Sequence, residues 1–368
     1  MPSSRSEHEP PLRAPARIVA WPDWSGANPY QRLFYEALEP HGFEWVQGVP
    51  LRFDAVLDPR ARIRLLHLHW PYAFWRSRGA SKIRRWRALS RFALGLRAAR
   101  ARGVRVVWTV HDLEHPGGDE GFDRLGLRSV HRAAELVIHH TEWSREAARR
   151  RLGAAPGAEL VMPHGSFDGA LPEPAPRDAV RRELGLPVDR PVFVSVGRLD
   201  RYKGLDLLAA AAAAVGPDVH FVVAGEPGDL TAATLVDAGP RLTVLPERQT
   251  DQRLADLLEA SDGIVLPYRR ITTSGALIAA LTAGRGVVAS DLPPFREVLR
   301  PAPEAGVLVS PTAEGIARGV RDFLAVSPAA RGRAARTLAD SLEWAELVPP
   351  VARALDRLIS AADRAPRA

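Results

Sequence analysis

Two cations on a glycine turn are the groups in this chain best suited to holding an anion. They lie in Gly197-Arg198-Leu199-Asp200-Arg201-Tyr202-Lys203-Gly204, after an apolar run ending at Val196 and before a helix-like run over Leu205–Val215. A glycine turn between strand and helix lets the backbone approach an anion at the helix N-terminus. The Arg198 guanidinium can fork onto two phosphate oxygens, and the Lys203 ammonium adds a compact point charge. Two cations there suit a diphosphate, and so a nucleotide-linked substrate. The spacing is not that of a P-loop, and no G-x-G-x-x-G follows a strand elsewhere. Thr273-Ser274-Gly275 opens a second helix-like stretch, with Ser274 placed to cap it. Free N–H groups and the helix dipole favour an anion there too, so the two elements would clamp a diphosphate from two directions.

Three loops in the first half carry the remaining chemistry. One holds Asp23, Trp24, Gly26, Asn28 and Tyr30, the second His69, Trp70, Tyr72 and Trp75, and the third His111, Asp112 and Glu114. Asp112, Glu114 and Asp23 are the carboxylates available as a general base. Trp24, Tyr30, Trp70, Tyr72 and Trp75 read as exposed faces on which a sugar can stack, with burial in the core as the competing reading. His67 and His69 share one face of a strand, but no Asp, Glu or Cys stands near them at ligand spacing. No metal site and no cofactor are therefore expected.

These loops need a scaffold, and 368 residues are too many for one ordinary core, so two domains are expected. Hydrophobic content of 46% with 25% charged residues is that of a globular protein. The absence of cysteine excludes disulfides, Cys-based metal sites and Cys nucleophiles. Met1 to Pro15 lacks the apolar core of a signal peptide, and no apolar run reaches the ~20 residues that span a bilayer. The expected location is the cytoplasm.

The net charge of +7 is local, because Arg76 to Arg102 holds ten basic residues and no acidic one, and the remainder is net acidic. At 100° per residue Trp86, Leu89, Phe92, Ala93 and Leu96 share one side of a helix, while Arg84, Arg87, Arg91 and Arg102 share the other. Such a helix either is an ordinary surface helix or shows its arginines to an anionic membrane, at the inner face of the cell membrane. No base-reading motif accompanies it, so nucleic acid is not an expected partner, though nucleic-acid binding is the non-enzyme alternative.

Apolar runs alternate with helix-like stretches, which argues doubly wound α/β architecture with parallel sheets in each half. The strands predicted in the first half are Arg17–Trp21, Phe43–Gln47, Leu65–Leu68, Val104–Val110, Leu136–His139 and Leu160–Met162. Those in the second are Val192–Val196, Val219–Ala224, Leu242–Leu245, Gly263–Leu266, Gly286–Ala289 and Gly306–Val309. Three prolines between Ala170 and Arg177 read as an extended linker and hinge. Helices are expected over Ala313–Ala325, Ala329–Leu342 and Trp344–Ala361.

The octapeptide resembles the G-R-L-x-x-x-K-G element of glycosyltransferases with the GT-B fold, in the large retaining family that includes bacterial mannosyl- and glucosyltransferases and glycogen synthases. Leu65-Leu-His-Leu-His-Trp70, Val107-Trp-Thr-Val-His111-Asp112 and Met162-Pro-His-Gly165 resemble its first-domain strand ends. Ala224-Gly225-Glu226 resembles its turn near the nucleotide. The block Ile271 to Ser290 keeps the family's glycines, helix and strand, but Ile271 and Ala279 stand where its two glutamates stand, so their sugar and ribose roles are not carried over. The departure marks a divergent subgroup, in which Thr/Ser-Ser-Gly replaces the first glutamate.

The resemblance implies a GT-B plan: residues 1–16 as a disordered tail, 17–172 as a Rossmann-like acceptor domain, 173–342 as a Rossmann-like nucleotide-sugar domain, and 343–361 as a helix returning to the first. It implies a metal-independent transfer, with retention, from a nucleoside-diphosphate sugar, UDP or GDP not distinguished, to a glycan, natural-product or lipid-linked acceptor. Gly197, Arg198, Lys203, Thr273, Ser274 and Gly275 would bind the diphosphate. Gly225, Glu226 and Glu297 would bind the nucleoside, with a helix cap as the other reading of Glu297. His111 would contact the sugar and Asp112 the reaction centre. Gly26, Asn28, Tyr30 and His69 would face the acceptor. An inverting transfer with a carboxylate base and an epimerase of the same fold are the enzymatic alternatives.

Overall fold

The computed structural model describes residues 14–76, 79, 81–114, 119–232, 235 and 239–364. Most of the tail expected to be disordered and Arg78 of the basic stretch lie outside these residues.

Each half builds one six-stranded sheet in which every described pairing is parallel. The first contains β1 (Ala16–Trp21), β2 (Phe43–Trp45), β3 (Ile63–Leu68), β4 (Arg105–Val110), β5 (Leu136–His139) and β6 (Ala158–Val161), in the order β2-β1-β3-β4-β5-β6. The second contains β7 (Val192–Val196), β8 (His220–Ala224), β9 (Leu242–Leu245), β10 (Gly263–Leu266), β11 (Val287–Ser290) and β12 (Gly306–Val309), in the order β12-β11-β10-β7-β8-β9. Strands buried on both faces are built mostly of apolar side chains, and the run Val-Phe-Val-Ser-Val of β7, with Ser195 its one polar residue, is buried throughout.

The covering helices of the first half are α1 (Pro29–Leu38), α2 (Phe53–Leu57), α3 (Lys82–Ala101), α4 (Glu120–Ala133) and α5 (Glu142–Leu152). Those of the second are α6 (Arg177–Glu183), α7 (Leu205–Val215), α8 (Asp251–Ala260), α9 (Gly275–Thr282), α10 (Pro293–Leu299), α11 (Ala313–Leu324) and α12 (Pro328–Asp340). The last predicted helix is divided into α13 (Trp344–Leu347) and α14 (Pro349–Arg364). Pro349 and Pro350 account for the break, since proline lacks the N–H an interior turn needs but fits a first turn.

Both strand orders reverse direction once, between β1 and β3 and between β7 and β10. Open α/β sheets bind ligands beyond the carboxyl ends of the strands at such points. The turn carrying Arg198 and Lys203 follows β7, and the loop 267–274 follows β10, so the fold brings the two elements expected to hold a diphosphate to one switch point. The loops after β1 and β3 hold Trp24 and Trp70 at the other.

One apolar cluster takes in residues of both sheets, including Ile18, Leu65 and Val107 with Val194, Leu266 and Ala289. Trp344 joins it across the halves, its ring 5.3 Å from Tyr30 and its indole N–H donating to the Ser166 carbonyl at 2.8 Å. In α3, Leu89, Phe92 and Leu96 are buried as their spacing predicts, but Trp86 is not. It stands 50% exposed over α4, edge-on to Phe122, because the first turns of α3 overhang α4 instead of the sheet.

Candidate active site

The turn carrying Arg198 and Lys203 is shaped by close approaches that only glycine permits. Gly197 has φ +116°, and a Cβ there would collide with the Lys203 ammonium nitrogen, which lies against its backbone. Gly225, in the turn after β8, packs against the Gly197 carbonyl. Arg198 is fixed by Asp200: Nε donates to Oδ2 at 2.9 Å and Nη2 to Oδ1 at 3.0 Å. Asp200 is buried, whereas the Arg198 side chain keeps 38% of its surface, so the guanidinium is oriented yet open. The hydrogen bonds that Arg198 donates to the Asp200 carboxylate hold it above the usual arginine pKa. Lys203 Nζ lies 5.6 Å from the centre of the Tyr268 ring. The Arg269 amide donates to the Tyr202 carbonyl at 2.7 Å, tying this turn to the loop after β10.

That loop leads into α9. Ser274 caps the helix as its residue type predicts, its hydroxyl accepting from the Leu277 amide at 3.2 Å. Thr273 Oγ1 is buried without a partner among the described residues. Gly275 has room for a side chain, its nearest neighbour being the Phe167 ring at 3.8 Å from an added Cβ. Thr272 is buried and reaches across to the first half, its Oγ1 accepting from the Leu113 amide at 3.2 Å.

Opposite stands His111, within a buried hydrogen-bonded chain. Its Nε2 is 3.0 Å from His69 Nδ1, His69 Nε2 is 2.8 Å from the Tyr35 hydroxyl, and that hydroxyl is 2.8 Å from His67 Nδ1. His67 Nε2 ends the chain 2.8 Å from Thr109 Oγ1. Burial, and then the neighbouring imidazoles, pushes His111 and His69 well below the usual histidine pKa, and burial brings His67 to about 3. These imidazoles are neutral at pH 7. Trp70 stacks on His111 at 4.3 Å, and Trp24 stacks on Trp70 at 5.0 Å. Trp24 is 43% exposed, so the stack runs from solvent to His111. Asp112 is half-buried, and its burial pushes its carboxyl up to about 6 against the opposing pull of Lys203.

Two expectations are corrected, those for Tyr30 and His69, and for Tyr72, Trp75 and Glu297 the structure takes the alternative reading, core burial or a helix cap. Tyr30 does not face an acceptor: it is fully buried, edge-on to His69, His111, His140 and His164. His69 is buried behind His111 and touches it instead of a ligand. Tyr72 and Trp75 are likewise core residues. Glu297 does not reach toward the nucleoside turn: its two carboxylate oxygens accept from the Glu142 and Trp143 amides at 2.6 and 3.0 Å, capping α5 of the other half. The polar residues of the β1–α1 loop are partly spent locally, since Asn28 Oδ1 caps α1 by accepting from the Tyr30 amide at 3.0 Å. Gly26 is exposed in open space, and Glu226 is exposed beside the Arg198 turn, its carbonyl accepting from the Leu199 amide at 2.9 Å.

Asp200, Thr272 and Tyr35 are the site residues that sequence reasoning missed. Asp200 was legible as the carboxylate two positions from Arg198 on one turn. Tyr35 was not, because its partners come from β3. Among the described residues no group of three or more His, Asp or Glu could hold a metal ion.

Two facing Rossmann-like sheets, with a cationic turn at one switch point and a histidine at the other lip, define a GT-B protein. The chain superposes on sucrose-phosphate synthase from Thermosynechococcus elongatus with a TM-score of 0.72 at 20% identity, over 94% of this chain and 100% of that one. It superposes on Anabaena Alr3699/HepE in complex with UDP and glucose with a TM-score of 0.69 at 16% identity, over 93% and 100%. Residues 190–325 match the Glycosyl transferases group 1 family, and the domain they form belongs to it. The chain is 30% identical over 248 residues to a D-inositol 3-phosphate glycosyltransferase of Mycolicibacterium gilvum, covering 65% of this chain and 52% of the relative. It is 31% identical over 241 residues to D-inositol 3-phosphate glycosyltransferase 1 of Catenulispora acidiphila, covering 59% and 57%. The aligned part thus spans little more than half the length of these relatives. Among the described residues no helix is long and apolar enough to cross a membrane.

Proposed function

We propose that the chain transfers a sugar, with retention, from a nucleoside diphosphate to a hydroxyl of an acceptor held in the cleft. The observation that carries this reading is Arg198, fixed by buried Asp200 beside Lys203, at the switch point of the domain that matches the group 1 family. In the step, the bond from the anomeric carbon to the diphosphate oxygen breaks and a bond to the acceptor oxygen forms. The acceptor proton passes to the departing diphosphate. Arg198, Lys203 and the amides at the start of α9 stabilise the charge that grows there, without assigning a metal to the step. Gly225 and Glu226 stand at the nucleoside end. Neutral His111 can hydrogen-bond the sugar without adding a charge to the cleft.

Calorimetry with UDP and GDP tests the reading and names the base. Arg198→Ala and Lys203→Ala should each weaken nucleoside-diphosphate binding about 10–100-fold, the range for a lost charged hydrogen bond. Absence of binding by any nucleoside diphosphate, or variants that bind as the native chain does, rejects it. A second outcome is favoured by one observation, the half-buried Asp112 carboxyl titrating near 6, which suits a general base for inversion. The anomeric configuration of the product, read by NMR, chooses between the two.

We further place the chain at an anionic membrane face through α3. Ile83, Trp86 and Leu94 are 65, 50 and 60% exposed, and Arg84, Arg87, Arg91 and Arg97 on the same helix make no ion pair among the described residues. Apolar and cationic groups side by side match the interface of an anionic bilayer. Cosedimentation with phosphatidylglycerol vesicles should be lost in Arg84/Arg87/Arg91→Gln. Equal binding to phosphatidylcholine vesicles, or a preference for nucleic acid, overturns this placement.

A further inference from the structure

A cavity of about 560 Å³ opens at the end of the second sheet that faces away from the cleft. Two of its lining residues, Asp262 and Arg285, precede β10 and β11, so it lies at the amino ends of the strands. The Arg198–Lys203 turn follows a carboxyl end. The facing wall is the start of α12, with Ser327, Arg333 and Arg336. Two lining residues have no side chain to fill the space. Gly284 has φ +62°, and a Cβ on Gly332 would lie 2.4 Å from the Gly284 carbonyl oxygen.

Arg177, Arg285, Arg333 and Arg336 line the cavity against one acid, Asp262. That carboxylate is already spent, since it accepts from Arg177, Arg181 and the Val192 amide. Arg285 pairs with Glu259 through Nη2, but its Nε is buried with no partner among the described residues. Its side chain keeps only 19% of its surface, so that N–H has lost water and gained nothing in return. Arg333 is exposed and makes no ion pair or hydrogen bond among the described residues. The first turn of α12 has neither a side-chain cap nor an acidic residue, so the helix dipole adds to the positive potential. Guanidiniums with open N–H groups around a concave space suit an oxyanion with several acceptor oxygens. The volume takes a phosphate together with a small organic group. A ligand held here faces away from the reaction centre, so it is not a substrate of the transfer.

We propose that this cavity is an effector site: Arg285 and Arg333 bind phosphate, free or in a small ester, and the bound anion lowers the affinity for the donor. The effect on the donor rests on the glycosyltransferase reading, whereas the site itself does not. Helix α9 links the two places, since it begins at Ser274–Gly275 and its eight residues span about 12 Å before the turn that carries Arg285. Arg336 donates to the Thr282 carbonyl at the end of α9 and pairs with Asp168 of the connecting segment at 2.7 Å. Phosphate beside Arg333 competes with Asp168 for Arg336, one helical turn away. The anion thus gains a contact when the connection is loosened that it lacks when Asp168 is paired, which is the difference a population shift requires. A loosened connection lets the lip with Arg198 and Lys203 move away from the lip with His111.

The full chain is saturated with UDP or GDP, whichever binds, so that the diphosphate site is filled. It is then titrated with inorganic phosphate and with ribose 5-phosphate beside ribose. Both phosphates should bind, ribose should not, and the tighter of the two says whether the anion is free or esterified. Arg333→Gln should weaken phosphate binding about 10–100-fold. That substitution removes an exposed side chain without a partner, so thermal melts should be unchanged. Arg285→Gln, on the opposite wall, should weaken binding as well, with its melt checking that it folds. Hydrogen exchange locates the ligand, which should slow exchange over residues 284–286 and 327–333. Protection confined to residues 111–128 and 143–151 would put the phosphate in the cleft and overturn the site, as would an Arg333→Gln chain that binds phosphate like the native one. Nucleotide is then titrated with and without saturating ribose 5-phosphate. The native chain should lose about fivefold or more in nucleotide affinity, the lower end of ordinary allosteric coupling, and Arg333→Gln should lose none. Phosphate bound at residues 284–286 and 327–333 with unaltered nucleotide affinity would overturn the effector role. If no nucleoside diphosphate binds, the glycosyltransferase reading falls, and the exchange pattern with phosphate alone decides the cavity.

Discussion

Arg198 differs from an ordinary surface arginine because Asp200 holds it before any ligand arrives. The bidentate pair fixes the guanidinium plane, so less side-chain entropy is lost when phosphate binds. Such turn chemistry is local, which is why Arg198, Lys203 and Ser274 were legible in the sequence. Tyr30 and His69 were misread because their surroundings come from distant strands and helices, and for the same reason the sequence left Glu297 between a nucleoside ligand and a helix cap. Asp112 supplies a pH test. Its carboxyl is raised from 3.8 to about 6 by burial, so between these values the folded chain binds more protons than the unfolded one. Stability then falls as pH rises through that window. Asp112→Asn removes the buried charge and should stabilise the chain at pH 7 by on the order of 1–3 kcal/mol, with no gain at pH 4. Denaturant melts at both values check this, and an equal gain at both would refute it. Tyr35→Phe tests the imidazole chain behind His111. It strands one nitrogen each of buried His67 and His69, so it should cost ~1–3 kcal/mol. It should also shift the His111 ring nitrogens in NMR, because His69 loses the partner that sets its tautomer. Unmoved His111 resonances would mean that the chain does not orient it.

The strands were the most legible elements. All twelve were placed, with ends differing by at most two residues, and the central ones stood out as near-continuous apolar runs because strands buried on both faces leave little room for polar positions. Helices were less so. The break at Val348 followed from proline chemistry that was visible but not applied, and Trp86 was exposed because α3 outruns the surface it covers. The element that sequence reasoning could not supply is the cap of α5. Thr141 caps it from within, and Glu297 of α10 supplies a carboxylate to its first amides from the other half. A negative group at a helix N-terminus satisfies free N–H groups and the dipole together. Glu297→Ala should therefore cost about 1 kcal/mol and speed amide exchange at Glu142 and Trp143. The same change should leave nucleoside-diphosphate affinity unaltered. A large loss of that affinity with unchanged exchange would restore Glu297 as a nucleoside ligand.

At the scale of the molecule, two kinds of contact join the halves. Near the connecting segments the contact is apolar with polar support: Phe167, Leu342 and Trp344 share a cluster with Leu277, Ile278 and Leu281 of α9, the Phe167 amide donates to Thr282 Oγ1 at 3.0 Å, and Arg336 pairs with Asp168 at 2.7 Å. Across the cleft it is polar and sparse, consisting of Thr272 with the Leu113 amide, Arg270 with Glu114, and Glu297 with α5. Apolar burial is lost only when surfaces separate, whereas an exposed ion pair is worth ~0–1 kcal/mol. The halves should thus stay joined at the connections and part at the cleft, as substrate entry and water exclusion both require. Removing the polar contacts should shift the chain toward the open form without unfolding it. Small-angle scattering of Arg270→Ala/Glu297→Ala should show a larger radius of gyration than the native chain. Saturating nucleoside diphosphate should restore part of the compaction, because Arg198 and Lys203 on one lip and His111 on the other then share a ligand. Identical profiles for native and doubly substituted chains, with and without nucleotide, would show that the apolar contact near the connections alone sets the angle between the halves.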